Sequence, residues 1–374
     1  MLKKSILFII PHLNGGGAEK VLVDILNNFD YDKYDVDLLV FFEEGVYIKY
    51  IPNNVNVKFL INKVKFINKV PGKLKDLFSV YIKYFGMKFL YKKTIKKKYD
   101  IEISFLEGLS TKFIYSSNNK DSKKLAWVHT DLFNNHWTDK YYKSLYEEIN
   151  VYKRFDDIIC VSEDAKEAFR KKFGEFKNIS VIYNPLDIDN IKKLGSEPIK
   201  KNKKFTICSV GRLVPQKGFD RLINIAKKLV DENYDINIQI LGIGGELKKL
   251  ERMIEDYSLS NNVQLVGFVE NPYKYIKNCD IFVSASRNEG FSLVVAEALI
   301  LNKPIISTRC AGPIEILQDG EYGIITENSE NGIYEAIKLI YNDDKKRNYF
   351  INKTEERKKF FLIEDKMSKI YKLL

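Results

Sequence analysis

The chain has 374 residues, of which 45% are hydrophobic and 13% aromatic, and it carries a formal net charge of +11. That composition excludes a disordered chain, and at about 100–200 residues per domain the length predicts two domains. No stretch approaches the ~20 apolar residues of a membrane span, which excludes a helical membrane-spanning protein.

In chain order, Lys3 and Lys4 precede an apolar run from Ile6 to Ile10 that ends at Pro11. The run is too short for the apolar core of a secretion signal and predicts a first buried strand. Gly15-Gly16-Gly17 follows, then Val21, Leu22, Ile25 and Leu26 at helical spacing. Further strands are predicted over 36–42, 101–105, 125–129, 157–161 and 180–183, with helices over about 141–153 and 163–173. Asn184-Pro185 and the polar run through Gly195-Ser196-Glu197-Pro198 predict a connection over 184–203.

The opening unit then recurs. A strand over 205–210 leads to Gly211-Arg212-Leu213-Val214-Pro215-Gln216-Lys217-Gly218, then to Leu222, Ile223, Ile225, Ala226 and Leu229 at helical spacing. Strands over 236–241, 263–266, 281–285 and 304–307 alternate with helices over about 246–257, 291–302 and 332–341. Strand–loop–helix alternation, twice begun, predicts an α/β protein with a parallel, doubly wound sheet in each half. The expected domains are 1–190 and 191–353, with a charged helix over about 354–374 returning to the first.

Cys160, Cys208, Cys279 and Cys310 lie far apart in sequence, in or near apolar runs. They predict buried, reduced thiols and a cytoplasmic chain, and their spacing is not that of a zinc site. The charge is localised. Over 58–99 there are thirteen lysines and one acid, Asp76, so this segment carries +12 and the remainder about −1.

The strongest chemical signal is Arg287-Asn288-Glu289-Gly290-Phe291-Ser292 with Glu297 beyond it. Eight helical steps would separate the two acids by roughly 12 Å, longer than a glycosidase carboxylate pair. Such a span suits two acids holding hydroxyls at opposite ends of an extended ligand. The helix start between them offers N–H groups and positive dipole to phosphate. Glu297 also interrupts an otherwise apolar run from Leu293 to Leu301. Arg212 and Lys217, in the glycine-bearing loop, add charge for a diphosphate. His129 follows a strand, where α/β sites form.

With these pieces in this order, the sequence resembles glycosyltransferase family 4. The resemblance rests on Gly16-Gly17-Ala18-Glu19, Gly211-Arg212 with Lys217-Gly218, the Glu289/Glu297 pair, and Ala311-Gly312-Pro313-Ile314-Glu315-Ile316-Leu317. It implies the GT-B fold, two Rossmann-like domains facing a central cleft, and a retaining transfer of a hexosyl unit from a nucleotide-sugar, UDP-linked by preference. It implies that Arg212 and Lys217 bind the donor diphosphate, Glu297 the ribose and Glu289 the hexose. The backbone of Gly290, Phe291, Ser292, Leu293 and Val294 would meet the phosphates, Phe268 and Val269 would frame the base, and Gly16 and Gly17 would let the first loop approach the donor. Trp127-Val128-His129-Thr130-Asp131 resembles the segment in which a histidine lies beside the reacting carbon. The chain departs from the family at Tyr183-Asn184-Pro185, where Asn-Gly is frequent, and at Gly242-Ile243-Gly244-Gly245-Glu246, where proline often follows the second glycine.

No metal and no cofactor are expected, the two cations standing in for Mg²⁺. The acceptor is expected to be a saccharide, on a lipid by family precedent. Apolar residues at Leu74, Leu77, Phe78, Tyr81, Ile82, Phe85 and Phe89 fall on one face of a helix among the lysines. The lysines of 58–98 are accordingly expected to hold the protein peripherally on an anionic membrane, at its inner face. Two rival classes leave the acid and cation arrangements less well used. One is a nucleotide-sugar epimerase of the same architecture, and the other is a basic nucleic-acid-binding protein. A dinucleotide dehydrogenase lacks its G-x-G-x-x-G.

Overall fold

The computed structural model describes residues 3–61, 87–200 and 202–374. The chain forms two compact units, one of 1–185 with 363–374 and the other of 186–362. In the first, β1 (Lys4–Ile10), α1 (Gly17–Asn27), β2 (Tyr34–Phe42) and β3 (Asn56–Ile61) precede α2 (Met87–Thr94) and β4 (Ile101–Ser104). Then come α3 (Leu109–Tyr115), β5 (Lys123–Val128), α4 (Leu145–Tyr152), β6 (Asp157–Cys160), α5 (Glu163–Phe173) and β7 (Ile179–Val181). The seven strands are parallel and ordered β3-β2-β1-β4-β5-β6-β7. β1 is buried from Ile6 to Ile10, as the central strand of a sheet covered on both faces must be. Ser144 and Ser162 cap α4 and α5, each side chain accepting the N–H three residues on.

The second unit holds α6 (Ile188–Gly195), β8 (Phe205–Val210), α7 (Phe219–Asp231), β9 (Ile236–Leu241), α8 (Leu247–Asp256) and β10 (Val263–Gly267). It continues with α9 (Tyr273–Asn278), β11 (Ile281–Ser284), α10 (Leu293–Ile300), β12 (Ile305–Thr308), α11 (Ala311–Ile316), β13 (Ile324–Thr326), α12 (Glu330–Asn342) and α13 (Asp344–Arg357). Its parallel order is β10-β9-β8-β11-β12-β13. The apolar face of α7 (Phe219, Leu222, Ile223, Ile225, Ala226, Leu229) packs into a core with Ile207, Ile238 and Val283. α10 is buried along nearly its whole length, which explains its run of apolar residues.

Four expectations are set against the described residues. The connection over 184–203 contains α6, which Asp187 caps through the Asn190 N–H; its Ile191 is buried while Lys192 and Lys193 lie on its outer face. The segment expected to return as one helix from 354 divides: 354–362 stay with the second unit, and only α14 (Ile363–Leu373) joins the first. There Tyr371 stacks on Tyr34 at 5.8 Å and 4°, and the Asp30 N–H donates to its hydroxyl at 2.8 Å. Lys4 and Lys123 donate to the carbonyls of Leu374 and Leu373, both at 2.8 Å. The two compact units divide after Pro185, five residues before the expected 190. Lastly, most of the amphipathic helix expected from residue 71 lies outside the described residues. At its described end Met87 and Tyr91 are buried while Phe89, expected on the apolar face, is exposed. Lys58, Lys97 and Lys98 lie near Asp37, Asp35 and Asp121, whereas Lys92, Lys93 and Lys96 are exposed.

Candidate active site

In each sheet the strand order reverses between two adjacent strands, β1/β4 and β8/β11. Loops leaving the carboxyl ends of such strands diverge and open a crevice where α/β proteins bind ligands. Of the expected site residues of the second unit, Arg212 and Lys217 fall on the loop after β8, Glu289 to Ser292 on the loop after β11, Leu293, Val294 and Glu297 on α10, and Phe268 and Val269 after β10.

After β8 the chain makes a short 3₁₀ turn, Pro215–Lys217, and enters α7 through Gly218 at φ +67. A Cβ at Gly218 would stand 2.1 Å from the Ala285 carbonyl oxygen, so only glycine lets the two loops touch. Lys217 Nζ lies 2.5 Å from Glu289 Oε2, and Ser286 Oγ donates to the same oxygen at 3.0 Å. Thr308 Oγ1 in turn donates to the Ser286 carbonyl at 2.6 Å. Arg212 is exposed and has no ion partner among the described residues.

Glu289 precedes the helix rather than lying within it. Ser292 is the N-cap of α10, and no side chain caps that end. The first turn opens with the Val295 N–H donating to the Ser292 carbonyl at 3.1 Å. The amides of Leu293 and Val294 therefore precede the helix's own ladder and point out of its positive end. Gly290 is held from behind by Gly312, where a Cβ would stand 1.6 Å from the Gly290 carbonyl oxygen. One α10 carboxylate is buried: Glu297 is 4% exposed and its Oε1 accepts the Tyr273 hydroxyl at 3.1 Å. On the loop after β10, Phe268 is exposed and Val269 half-buried.

Arg287 links the two loops. It forks onto Asp220 with Nη1–Oδ1 2.8 Å and Nη2–Oδ2 2.6 Å. Burial pushes the Asp220 carboxyl up, but the hydrogen bonds and charge of Arg287 prevail and leave it below its ordinary value.

In the first unit, Gly16 is the N-cap of α1 and Gly17 its first residue. A Cβ at Gly16 would stand 2.3 Å from the Glu19 carboxylate, which itself lies 3.1 Å from His12 Nδ1. His129 follows β5. Its backbone N–H donates to Glu107 Oε2 at 3.0 Å, and Thr130 Oγ1 donates to Glu107 Oε1 at 2.5 Å. Glu107 is fully buried, and burial raises its pKa. Burial lowers His129 from 6.5 to about 4, opposed by a hydrogen bond to the Phe105 backbone. The ring is therefore neutral at pH 7, with Nε2 shielded and free of a hydrogen-bond partner among the described residues.

Between pH 6.5 and about 4 the unfolded chain takes up a proton on this ring and the folded chain does not. The stability linked to His129 is present above 6.5 and is lost as the pH falls toward 4. Imidazole NMR should show His129 still neutral at pH 5. A His129→Gln variant should lose less stability between pH 7 and pH 5 than the parent, and an equal loss would place the titration elsewhere.

Thus Lys217, Glu289 and the Gly290–Val294 backbone come together around one helix start, and Glu297 lies deeper on the same helix. Ser286, Tyr273, the Asp220–Arg287 pair and Glu107 were not foreseen. Gly312 was noted only within a longer run.

Residues 15–190 match the model of the glycosyltransferase family 4, and residues 190–357 that of the glycosyl transferases group 1. An uncharacterized glycosyltransferase of Methanocaldococcus jannaschii is 31% identical over 320 residues, covering 74% of this chain and 77% of its own. The chain belongs to the group 1 glycosyltransferases. A second relative of this glycosyltransferase is the N-acetylgalactosamine-N,N'-diacetylbacillosaminyl-diphospho-undecaprenol 4-alpha-N-acetylgalactosaminyltransferase of Campylobacter jejuni. It is 34% identical over 214 residues, 56% of this chain and 58% of that one. The crystal structure of Anabaena HepE in complex with UDP and glucose superposes with a TM-score of 0.77 at 21% identity, covering 98% of each chain. The two parallel-sheet units are thus the Rossmann-like domains of the GT-B fold. Among the described residues no helix is long and apolar enough to cross a membrane.

Proposed function

We propose that this glycosyltransferase moves a hexose or N-acetylhexosamine from a UDP-sugar to a saccharide acceptor carried on a lipid diphosphate, with retention of configuration and without a metal. The observation that carries the reading is the Lys217–Glu289 pair set against the start of α10, with Glu297 buried farther along that helix. Lys217 and Arg212 take the diphosphate together with the Gly290–Val294 backbone, Glu289 holds the hexose, and Glu297 the ribose. Gly16 and Gly17 admit the donor to the first loop, and Phe268 and Val269 frame the base. The leaving phosphate takes the acceptor proton as the Lys217 and Arg212 charges meet the departing diphosphate. His129, neutral at pH 7, serves as a hydrogen-bonding group beside the reacting carbon. UDP and glucose in the Anabaena HepE crystal structure, and the diphospho-undecaprenol after which the Campylobacter jejuni transferase is named, support this choice of donor and acceptor. The exposed Lys92, Lys93 and Lys96, within a segment of charge +12, support attachment to the anionic inner face of the membrane.

The test is transfer from a panel of radiolabelled UDP-sugars to lipid-linked acceptor, with and without EDTA, in vesicles of anionic or neutral lipid. One donor should transfer with its anomeric configuration kept, at an unchanged rate in EDTA. Rates should be higher on anionic vesicles, and that gain should vanish in high salt. His129→Ala should lower the rate strongly with the fold intact. An inverted product, or activity that EDTA abolishes and Mg²⁺ restores, would refute the mechanism. Conversion of the donor without acceptor would make the protein an epimerase.

A further inference from the structure

Six hydrogen bonds tie the loop that carries Lys217 to the loop that carries Glu289 and brace the latter. The Arg287 N–H donates to the Gln216 carbonyl at 2.7 Å, and Arg287 Nη1 donates to the Pro215 carbonyl at 2.7 Å. Its two terminal nitrogens fork onto the two Asp220 oxygens. Gln216 Nε2 returns to the Asn288 carbonyl at 2.8 Å, and Asn328 Nδ2 donates to the Arg287 carbonyl at 2.8 Å. Asn328 is itself held through Oδ1 by Arg221 Nη1 at 2.6 Å. Arg287 is thus bonded at its amide, its carbonyl and both ends of its guanidinium.

The bonds fall at revealing places. Pro215 and Gln216 immediately precede Lys217, and Asn288 immediately precedes Glu289. Neither loop has a regular ladder there, since the first is one 3₁₀ turn and the second runs free until Ser292. Asp220 lies in the first turn of α7, which is anchored in the core by Phe219, Leu222 and Ile223. A bidentate arginine fork fixes both distance and angle, as a lysine or a neutral amide does not.

We infer that Asp220 and Arg287 form a positioning splint that holds Lys217 and Glu289 at a fixed separation, so that donor binding exchanges the partners of these two side chains without moving their loops. The inference rests on the reading of Lys217 and Glu289 as donor ligands. Neither splint residue touches the reacting atoms. In the described structure the ammonium and the carboxylate hold one another. When the diphosphate and hexose arrive, Lys217 turns to phosphate and Glu289 to a sugar hydroxyl. That exchange is productive only where the loops stay in place, because a misplacement of ~1 Å can cost about a hundredfold in rate.

The experiment compares Asp220→Asn, Arg287→Lys and the exchanged pair Asp220→Arg with Arg287→Asp. Readouts are kcat and donor KM in the transfer assay, Tm, and amide hydrogen exchange over 211–218 and 286–292. Each single variant should lose about ten- to a hundredfold in kcat/KM, part of it in kcat, while remaining folded at the assay temperature. Exchange should accelerate in both loops, although each substitution lies on only one side of the splint. The exchanged pair should recover part of the rate. Wild-type kcat/KM in both single variants would overturn the splint. So would a rate loss no larger than the loss of folded protein, or faster exchange confined to the loop on the substituted side. A parent enzyme that transfers nothing would defeat the donor-site reading instead, and exchange in the two loops would still decide the splint.

Discussion

Lys217→Met is expected to lower kcat by about 10²–10³-fold, the loss typical of removing one preorganised group from a developing anion. The same change should weaken UDP binding more than the loss of one cation explains. Glu289 Oε2, now held 2.5 Å from the Lys217 ammonium, would keep only the Ser286 hydroxyl of its two described contacts. Its uncompensated charge would face the incoming diphosphate. Removing one partner of a shielded ion pair costs more than removing both. The double variant Lys217→Met with Glu289→Gln should therefore bind UDP more tightly than Lys217→Met alone, while kcat stays low. Glu289→Gln alone should lower kcat and leave UDP affinity near that of the parent, since UDP lacks the hexose. Calorimetric UDP titration of the four proteins gives the coupling, expected at about 1–3 kcal/mol. Strictly additive changes in affinity would show that the pair does not act as a unit.

Gly312→Ala should be the most damaging one-carbon change near the site. The added Cβ would lie 1.6 Å from the Gly290 oxygen, 2.6 Å from its carbon and 2.8 Å from Phe291 Cα. All three are backbone atoms, so no rotamer change relieves the clash and the Glu289–Ser292 loop must shift. Overpacking of this kind costs about 1–3 kcal/mol of stability. The displaced loop should also reduce kcat/KM by about a hundredfold. Gly245→Ala is the control, because a Cβ there meets nothing within 4 Å. Thermal melts and kinetics of both variants provide the check. Full activity in Gly312→Ala would mean that this loop tolerates displacement and that the site does not depend on its placement.

The strand–loop–helix repeat was legible because a buried central strand reads as an unbroken apolar run, as Ile6–Ile10 does. Arg212, Lys217, Glu289 and Glu297 stand out as candidates because charge beside glycine, or within an apolar helix, contradicts its surroundings. β3 was missed since its half-buried residues alternate with lysine and asparagine inside a segment read only for charge. β13 has three residues, too few to show a period. Partner choice was not legible at all. Arg287 and Asp220 are 67 residues apart, and Ser286 and Glu297 have no local mark of the hydrogen bonds they make. Only the fold, by placing β8 beside β11, brings Asp220 and Arg287 together. Tyr273 is in the same position: a tyrosine at the start of a six-residue helix gives no sign that it contacts a carboxylate 24 residues later.

The return of α14 to the first unit sets a timetable for synthesis. Residues 1–185 leave the ribosome first and contain every strand of their sheet, yet Tyr34, Phe29 and the Asp30 amide have no Tyr371 to meet. The 177 residues from 186 to 362 must be made before α14 emerges. At roughly 5–20 residues per second that interval is on the order of 10–35 s. Throughout it the nascent first domain carries an uncovered aromatic patch.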